Sequence, residues 1–348
     1  MFAFAPLTSG AMNDFALYAV EQFKCRYLYS MQPFTIPNSC FLFRSSPLSK
    51  LPRLLRAVSE NLIPLHLIDI HLTSPRIRLE PLLVLNGIER PSTIFTIIYW
   101  RIIRRSPCYI FIHDPVPHRG NTIEIILAAF GQLARALSQR HYFLSSYYHG
   151  LARCSKARYL PLQPSSRAIS NCLKATDGKS VKKDVCTIQF LGRLEPYKGL
   201  VEFLLLLETL YVQRKIPSGN ILLKINGAGS SIYTKKLLSV YNALDSGLRE
   251  IVNLQISHLD EMNLYLHIAN SDCLLMPYTD YSQSLLPRFA SLLAKPVLCT
   301  ELPALISDLD YLRLPYYSFR STESVSLELA LRSLYERFKD LRDSSCVV

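Results

Sequence analysis

Phe190-Leu-Gly-Arg-Leu-Glu-Pro-Tyr-Lys-Gly199 runs from an apolar segment, Thr187 to Leu191, into a glycine turn, two cations and the start of an apolar helix near Leu200. Its residue types give a buried strand whose C-terminal end meets Arg193 and Lys198. Arginine offers a planar fork of donors, lysine a mobile point charge, and the N–H groups of a tight turn add further donors. Two readings fit these residues: a diphosphate site, and an ordinary strand-to-helix loop carrying solvated charges.

The rest of the chain bears on that choice. Its 348 residues exceed one typical core, so two domains are expected. With 49% hydrophobic and 19% charged residues it is a globular chain and not a disordered one. A net charge of +12 favours anionic partners, namely a nucleotide diphosphate, an anionic lipid surface or nucleic acid. Zinc-finger spacing, an RNP-like aromatic box and a long basic tail are all missing, so nucleic acid is not expected. Nine cysteines form no CxxC pair, which fits free thiols in a reducing cytosol. The start, Met1-Phe-Ala-Phe-Ala-Pro6, does not read as a secretory signal. No run reaches the roughly 18 apolar residues of a membrane span. Membrane contact would therefore be peripheral, through basic and apolar stretches such as Arg44 to Arg56 and Ile94 to Arg105. A solvated helix face over a core reads equally well there.

Short apolar runs alternate with helical patterns along the whole chain. Strands are expected at Phe2 to Ala5, Cys40 to Phe43, Leu65 to Ile70, Tyr109 to His113 and Tyr142 to Leu144. A second set is expected at Val185 to Leu191, Ile221 to Ile225, Ile251 to Gln255, Cys273 to Met276 and Pro296 to Cys299. Intervening helices include Thr93 to Arg104, Thr122 to Gln139, Val201 to Gln213 and Ser284 to Leu293. This is the α/β pattern of parallel sheets covered by helices. A Pro- and Ser-containing polar stretch gives a linker over 161–184, between a domain at 1–160 and a second at 185–320. A last helix within 321–348 is expected to return across to the first domain.

Three motifs resemble those of retaining glycosyltransferases of family 4, which have the GT-B fold: two Rossmann-like α/β/α domains flanking a cleft. Gly192-Arg193 and Lys198-Gly199 match the family's G-R-x-x-x-x-K-G. Met276-Pro-Tyr-Thr-Asp-Tyr-Ser-Gln-Ser-Leu-Leu-Pro287, leading to Lys295-Pro-Val-Leu-Cys299, resembles its Q-S-G branch. Phe111-Ile-His-Asp-Pro-Val-Pro-His118 resembles an H-D-P-x-P-H loop. The likeness covers residues 185–300 most closely, 110–120 in one motif and the first hundred loosely.

The resemblance implies transfer of a sugar from a nucleotide diphosphate sugar with retention, to a glycan or lipid-linked acceptor, in cell-surface polysaccharide biosynthesis. Arg193 and Lys198 would grip the donor's pyrophosphate, with His113 and Asp114 as the other catalytic candidates and His118 on the acceptor side. Donor contacts would come from Gly10, Gly192, Gly227, His258, Tyr278, Gln283 and Ser284, the last two at a helix N-terminus where free N–H groups meet a phosphate. Cationic side chains in this role remove the need for a metal, and no other cofactor is expected. A cytoplasmic protein, peripheral on the inner face of the membrane, would follow. Tyr281 and Phe289 stand where family members commonly carry the two carboxylates of E-x7-E. The chain without them also fits a GT-B protein that keeps the fold as a partner subunit or glycan-binding module.

Overall fold

Short β-branched, leucine-rich and aromatic runs form two parallel sheets, each with its helices in the crossover connections. The structure, a computed structural model, describes residues 2–5, 16, 18–25, 27–30, 42–45, 80–85, 91–113, 122–175, 185–216 and 221–344. Internal contacts divide the chain into two units, Met1–Ser166 and Arg167–Val348.

The first unit holds strands β1 (Phe2–Ala5), β2 (Tyr27–Ser30), β3 (Leu42–Ser45), β4 (Leu82–Val84), β5 (Cys108–Ile112), β6 (Arg140–Phe143) and β7 (Ala157–Tyr159). Their order is β3-β2-β1-β4-β5-β6-β7, with every pairing parallel. Phe4, Val84, Ile110 and Ile112 from the strands meet Ile94, Ile97 and Trp100 from the helix that precedes β5 in one apolar core. That helix was expected at Thr93 to Arg104. It starts at Pro91, whose missing N–H costs nothing in a first turn, and is α-helical only to Ile98. Tyr99–Ile103 continue as a π-helical turn. Two hydrogen bonds anchor the wide turn: the buried Trp100 donates Nε1 to the Glu80 carbonyl at 3.0 Å, and Arg101 donates Nε to the Leu137 carbonyl at 3.0 Å.

Strands β2, β4 and β7 were not anticipated; β4 and β7 span only three residues, too few for an alternation to show. The strand expected at Cys40 to Phe43 lies two residues later, at Leu42–Ser45. The strand expected at Leu65 to Ile70 lies outside the described residues.

The second unit contains β8 (Cys186–Leu191), β9 (Ile221–Gly227), β10 (Val252–Ile256), β11 (Cys273–Met276), β12 (Val297–Thr300) and β13 (Tyr316–Phe319), in the order β10-β9-β8-β11-β12-β13. β8 is buried along its whole length, as a central parallel strand must be. The helix Leu200–Val212 buries Leu200, Val201, Phe203, Leu204, Leu207 and Leu210, at the 3–4-residue spacing of a core-facing stripe. The stretch expected to be a linker contains a helix of its own, Ser166–Lys174, with Ala168 and Cys172 buried. The C-terminal helix, Ser324–Ser344, lies where a last helix was expected. It buries Leu327, Ala330, Leu331 and Leu334 and packs on β12, β13 and the helix Leu200–Val212 of its own unit. The seven cysteines among the described residues are free thiols.

His141 in β6 is 4% exposed, and burial, reinforced by Arg135 and Lys156, pushes its imidazole down from 6.5 to about 4. The unfolded chain therefore takes up this proton before the folded one does, so His141 stabilises the fold above pH 6.5 and that contribution is lost as the pH falls towards 4. Melting temperature measured between pH 7 and pH 4 should fall more steeply in the wild type than in His141→Leu.

Candidate active site

Both β9 and β10 lie on one side of β8, while β11, β12 and β13 lie on the other. The chain changes direction between β8 and β11, and in open parallel sheets ligands bind beyond the strand C-termini at this kind of switch. The β8–β11 ladder pairs Ile188 with Cys273 and Gln189 with Leu274. It is anchored at its start by a reciprocal exchange, Thr187 N–H to the Asp272 carboxylate at 2.8 Å and Asp272 N–H to the Thr187 carbonyl at 2.9 Å. The parallel register then delivers the segments after β8, β9, β10 and β11 to one edge. Four of the sequence-predicted groups stand on these segments: Gly192 to Lys198, Gly227, His258, and Tyr278 to Ser284.

The loop after β8 is clamped from both sides. Towards β9, Gly192 N–H donates to the Asn226 carbonyl at 3.3 Å and Leu194 N–H to the Ala228 carbonyl at 2.9 Å. A Cβ at Gly227 would overlap the Gly192 carbonyl, so this glycine serves the close approach of two backbones. Towards β11, the 3₁₀ turn Pro196–Lys198 ends at Gly199, which has φ 65° and lies against the Pro277 carbonyl. The Tyr197 carbonyl accepts from Thr279 N–H at 2.8 Å and from Thr279 Oγ1 at 3.3 Å. Beneath the loop, the buried Gln189 donates its amide to Asn226 Oδ1 at 2.8 Å, and Asn226 donates to Gln255 Oε1 at 2.7 Å. This amide chain ties β8, β9 and β10 together near their C-termini.

Arg193 is exposed, and its guanidinium donates to the Tyr197 hydroxyl at 3.4 Å. The Lys198 ammonium lies over two rings, 4.9 Å from the Tyr197 centroid and 3.7 Å from that of Tyr278. The two predicted cations are therefore brought together around one tyrosine. Tyr278 is 1% exposed. Burial raises its phenol well above the usual range; Tyr197 adds to this and the Ser284 side chain opposes it. Although Ser284 is close enough to exert that pull, the Tyr278 hydroxyl has no hydrogen-bond partner of good geometry among the described residues.

Gln283 and Ser284 are half-buried at the same edge, but the helix after them is shorter than expected, Leu286–Leu292. Its first donors are engaged: Leu286 N–H donates to Ser284 Oγ at 3.2 Å, Pro287 has none, and Arg288 and Phe289 N–H donate to the Leu285 carbonyl at 3.0 and 3.1 Å. Positive charge at this edge thus comes from side chains more than from the start of that helix. Tyr281 and Phe289 are each 4% exposed and belong to the core. Tyr281 donates its hydroxyl to Asp308 at 2.9 Å, and Phe289 packs on Tyr265 with ring centroids 5.0 Å apart. His258 is exposed after β10, next to Ser257, whose N–H donates to the Gly227 carbonyl at 2.9 Å.

In the first unit His113 follows β5, and its Nε2 lies 2.7 Å from the Leu85 carbonyl. A carbonyl only accepts, so Nε2 carries the proton and a neutral ring has its basic nitrogen at Nδ1. Gly10, Asp114 and His118 lie outside the described residues.

Sequence inspection passed over Tyr197, Thr279 and the Gln189–Asn226–Gln255 chain. An aromatic residue next to a lysine in a turn, and amides within otherwise apolar strands, were the signals available. Gly199→Ala should lower stability by about 2 kcal/mol or more, since it adds a backbone overlap at a left-handed residue; chemical denaturation measures this. Tyr278→Phe, which deletes a buried hydroxyl but keeps the ring under Lys198, should leave the melting temperature unchanged or raise it, whereas Tyr278→Leu should lower it.

No family model and no curated protein sequence matches the chain. Solved structures do. Anabaena Alr3699/HepE, in complex with UDP and glucose, superposes with a TM-score of 0.67 at 12% identity, covering 98% of this chain and 91% of that one. An α,α-trehalose-phosphate synthase (UDP-forming) from Burkholderia vietnamiensis gives 0.69 at 10% identity over 96% and 89%. The trehalose-6-phosphate synthase OtsA gives 0.70 at 12% identity over 96% and 91%. Likeness at this identity, over nearly the full length of both chains, establishes the fold: the chain is an α/β protein of the GT-B class, with two parallel sheets and their helices.

Proposed function

We propose that this chain is a retaining glycosyltransferase of the family 4 type, which takes a sugar from a nucleotide diphosphate sugar and passes it to a glycan or lipid-linked acceptor. The observation that carries the proposal is the meeting of Arg193 and Lys198 around Tyr197, at the switch point of a parallel sheet. Known structures with this fold include one that holds UDP and glucose.

In the proposed reaction the anomeric carbon–oxygen bond to the diphosphate breaks and leaves its electron pair on the phosphate oxygen. The acceptor oxygen forms the new bond on the same face, and its proton passes to the departing phosphate. Arg193 and Lys198 stabilise the charge that accumulates on the leaving group, which makes a divalent metal unnecessary. Gly192, Gly227 and His258 stand at the same strand ends to border the nucleotide, and Gln283 and Ser284 face the phosphates. By the family resemblance, His113 is the candidate for a polar contact on the sugar.

The helix expected to seat the protein on an anionic bilayer does expose apolar side chains: Ile102 is 60% and Ile103 68% accessible, just before Arg104 and Arg105. Among the described residues no helix is long and apolar enough to cross a membrane. In a parallel sheet this turn precedes β5 and His113 follows it, so the patch and His113 lie at opposite strand ends, roughly 15 Å apart along a five-residue strand. A bilayer held at Ile102 and Ile103 would stand away from His113, which favours an acceptor that leaves the membrane plane, such as an extended glycan.

A second reading has its own support. Tyr281 and Phe289 are buried in the core where family members commonly present carboxylates, and this fits a chain that keeps the fold as a partner subunit or glycan-binding module. Thermal shift separates the two readings. The transferase reading predicts a higher melting temperature with one of UDP, GDP or ADP, and loss of that rise in Arg193→Ala and Lys198→Ala. No rise with any nucleotide would support the non-catalytic reading.

A further inference from the structure

We infer that Tyr197 is the positioning residue of the anion site: its hydroxyl and its ring hold Arg193 and Lys198 in one relative orientation, so that both cations address the same diphosphate. This rests on the donor-site reading above and adds to it a residue that contacts the anion only through its neighbours. Long cationic side chains on an exposed loop lose rotamer freedom when they bind an anion, and a site that has already restricted them binds more tightly.

Tyr197 has the geometry for this. Its backbone is fixed independently of its side chain, by the two hydrogen bonds from Thr279 to its carbonyl and by the Gly199–Pro277 contact two residues on. Its hydroxyl accepts from the Arg193 guanidinium at 3.4 Å. Its ring lies 4.9 Å from the Lys198 ammonium, on which the Tyr278 ring also closes at 3.7 Å. The contact with Arg193 is a long hydrogen bond and that with Lys198 a cation–π contact. Neither contact with the tyrosine neutralises its cation. A carboxylate in the same place would pair with them and compete with the phosphates.

Inorganic pyrophosphate and UDP, titrated calorimetrically into the full-length chain, test this. Arg193→Ala is expected to weaken binding about tenfold, as the loss of a charge-assisted bond does. Tyr197→Phe keeps the ring and should weaken binding about threefold, whereas Tyr197→Leu should weaken it about tenfold. Because the hydroxyl acts through Arg193, the double variant Arg193→Ala/Tyr197→Phe should bind no worse than Arg193→Ala alone. Reductively ¹³C-methylated protein provides a readout free of nucleotide. The Lys198 methyl resonance, assigned by its disappearance in Lys198→Ala, should be shifted upfield by the rings, keep that shift in Tyr197→Phe and lose part of it in Tyr197→Leu. If the two losses simply multiply in the double variant, or Tyr197→Phe binds like wild type while Arg193→Ala is weakened, the inference is overturned and the donor site stands. If wild type binds neither ligand, or binds both unaffected by Arg193→Ala and Lys198→Ala, the donor-site reading falls and this inference falls with it.

Discussion

The tie between the Tyr197 carbonyl and Thr279 holds the candidate site together. β8 and β11 are neighbours in the sheet but far apart in sequence, and beyond their short ladder each strand continues into a loop of its own. Two hydrogen bonds to one carbonyl, and a glycine that admits the Pro277 carbonyl, hold those loops in contact. Without them Arg193 and Lys198 would sit on a free surface loop, where cations are screened and mobile. With them, the cations occupy a fixed position at the point where a parallel sheet leaves room for a ligand.

The same logic runs downward into the sheet. Gln189 sits in a strand buried along its whole length, and its amide is satisfied by Asn226, which in turn reaches Gln255. An unsatisfied amide there would be costly, so this chain of bonds fixes the relative positions of β8, β9 and β10. Gly227 and Gly192 then meet backbone to backbone above it. The edge proposed to border a nucleotide is thus built by main-chain packing over an amide chain, with Tyr197 and the two cations above it.

Much of this was legible in the sequence. The alternation of apolar runs and helical stripes pointed to parallel α/β sheets, and the long or wholly apolar strands β8, β9 and β11 fell within a residue or two of expectation. Strands β2, β4, β7 and β13 were missed, and the three-residue β4 and β7 are too short to carry a period. Gly192-Arg193 and Lys198-Gly199 could be recognised from their spacing. That Tyr197 stands between the two cations could not, since a side chain's neighbours across a turn depend on tertiary contacts with residue 279. The helix after Ser284 shows the opposite case. A Ser followed by an apolar run reads as a helix start that offers free N–H groups, but Pro287 and the Ser284 hydroxyl consume those donors. The C-terminal helix was located by its apolar stripe.

The position of a bound nucleoside diphosphate tests the account most directly. A crystal structure of the chain grown with the nucleotide that raises its melting temperature should show the terminal phosphate within hydrogen-bond reach of both the Arg193 guanidinium and the Lys198 ammonium, with Tyr197 still between them. Clear density for the nucleotide elsewhere on the chain, or a phosphate that touches neither cation, would contradict it.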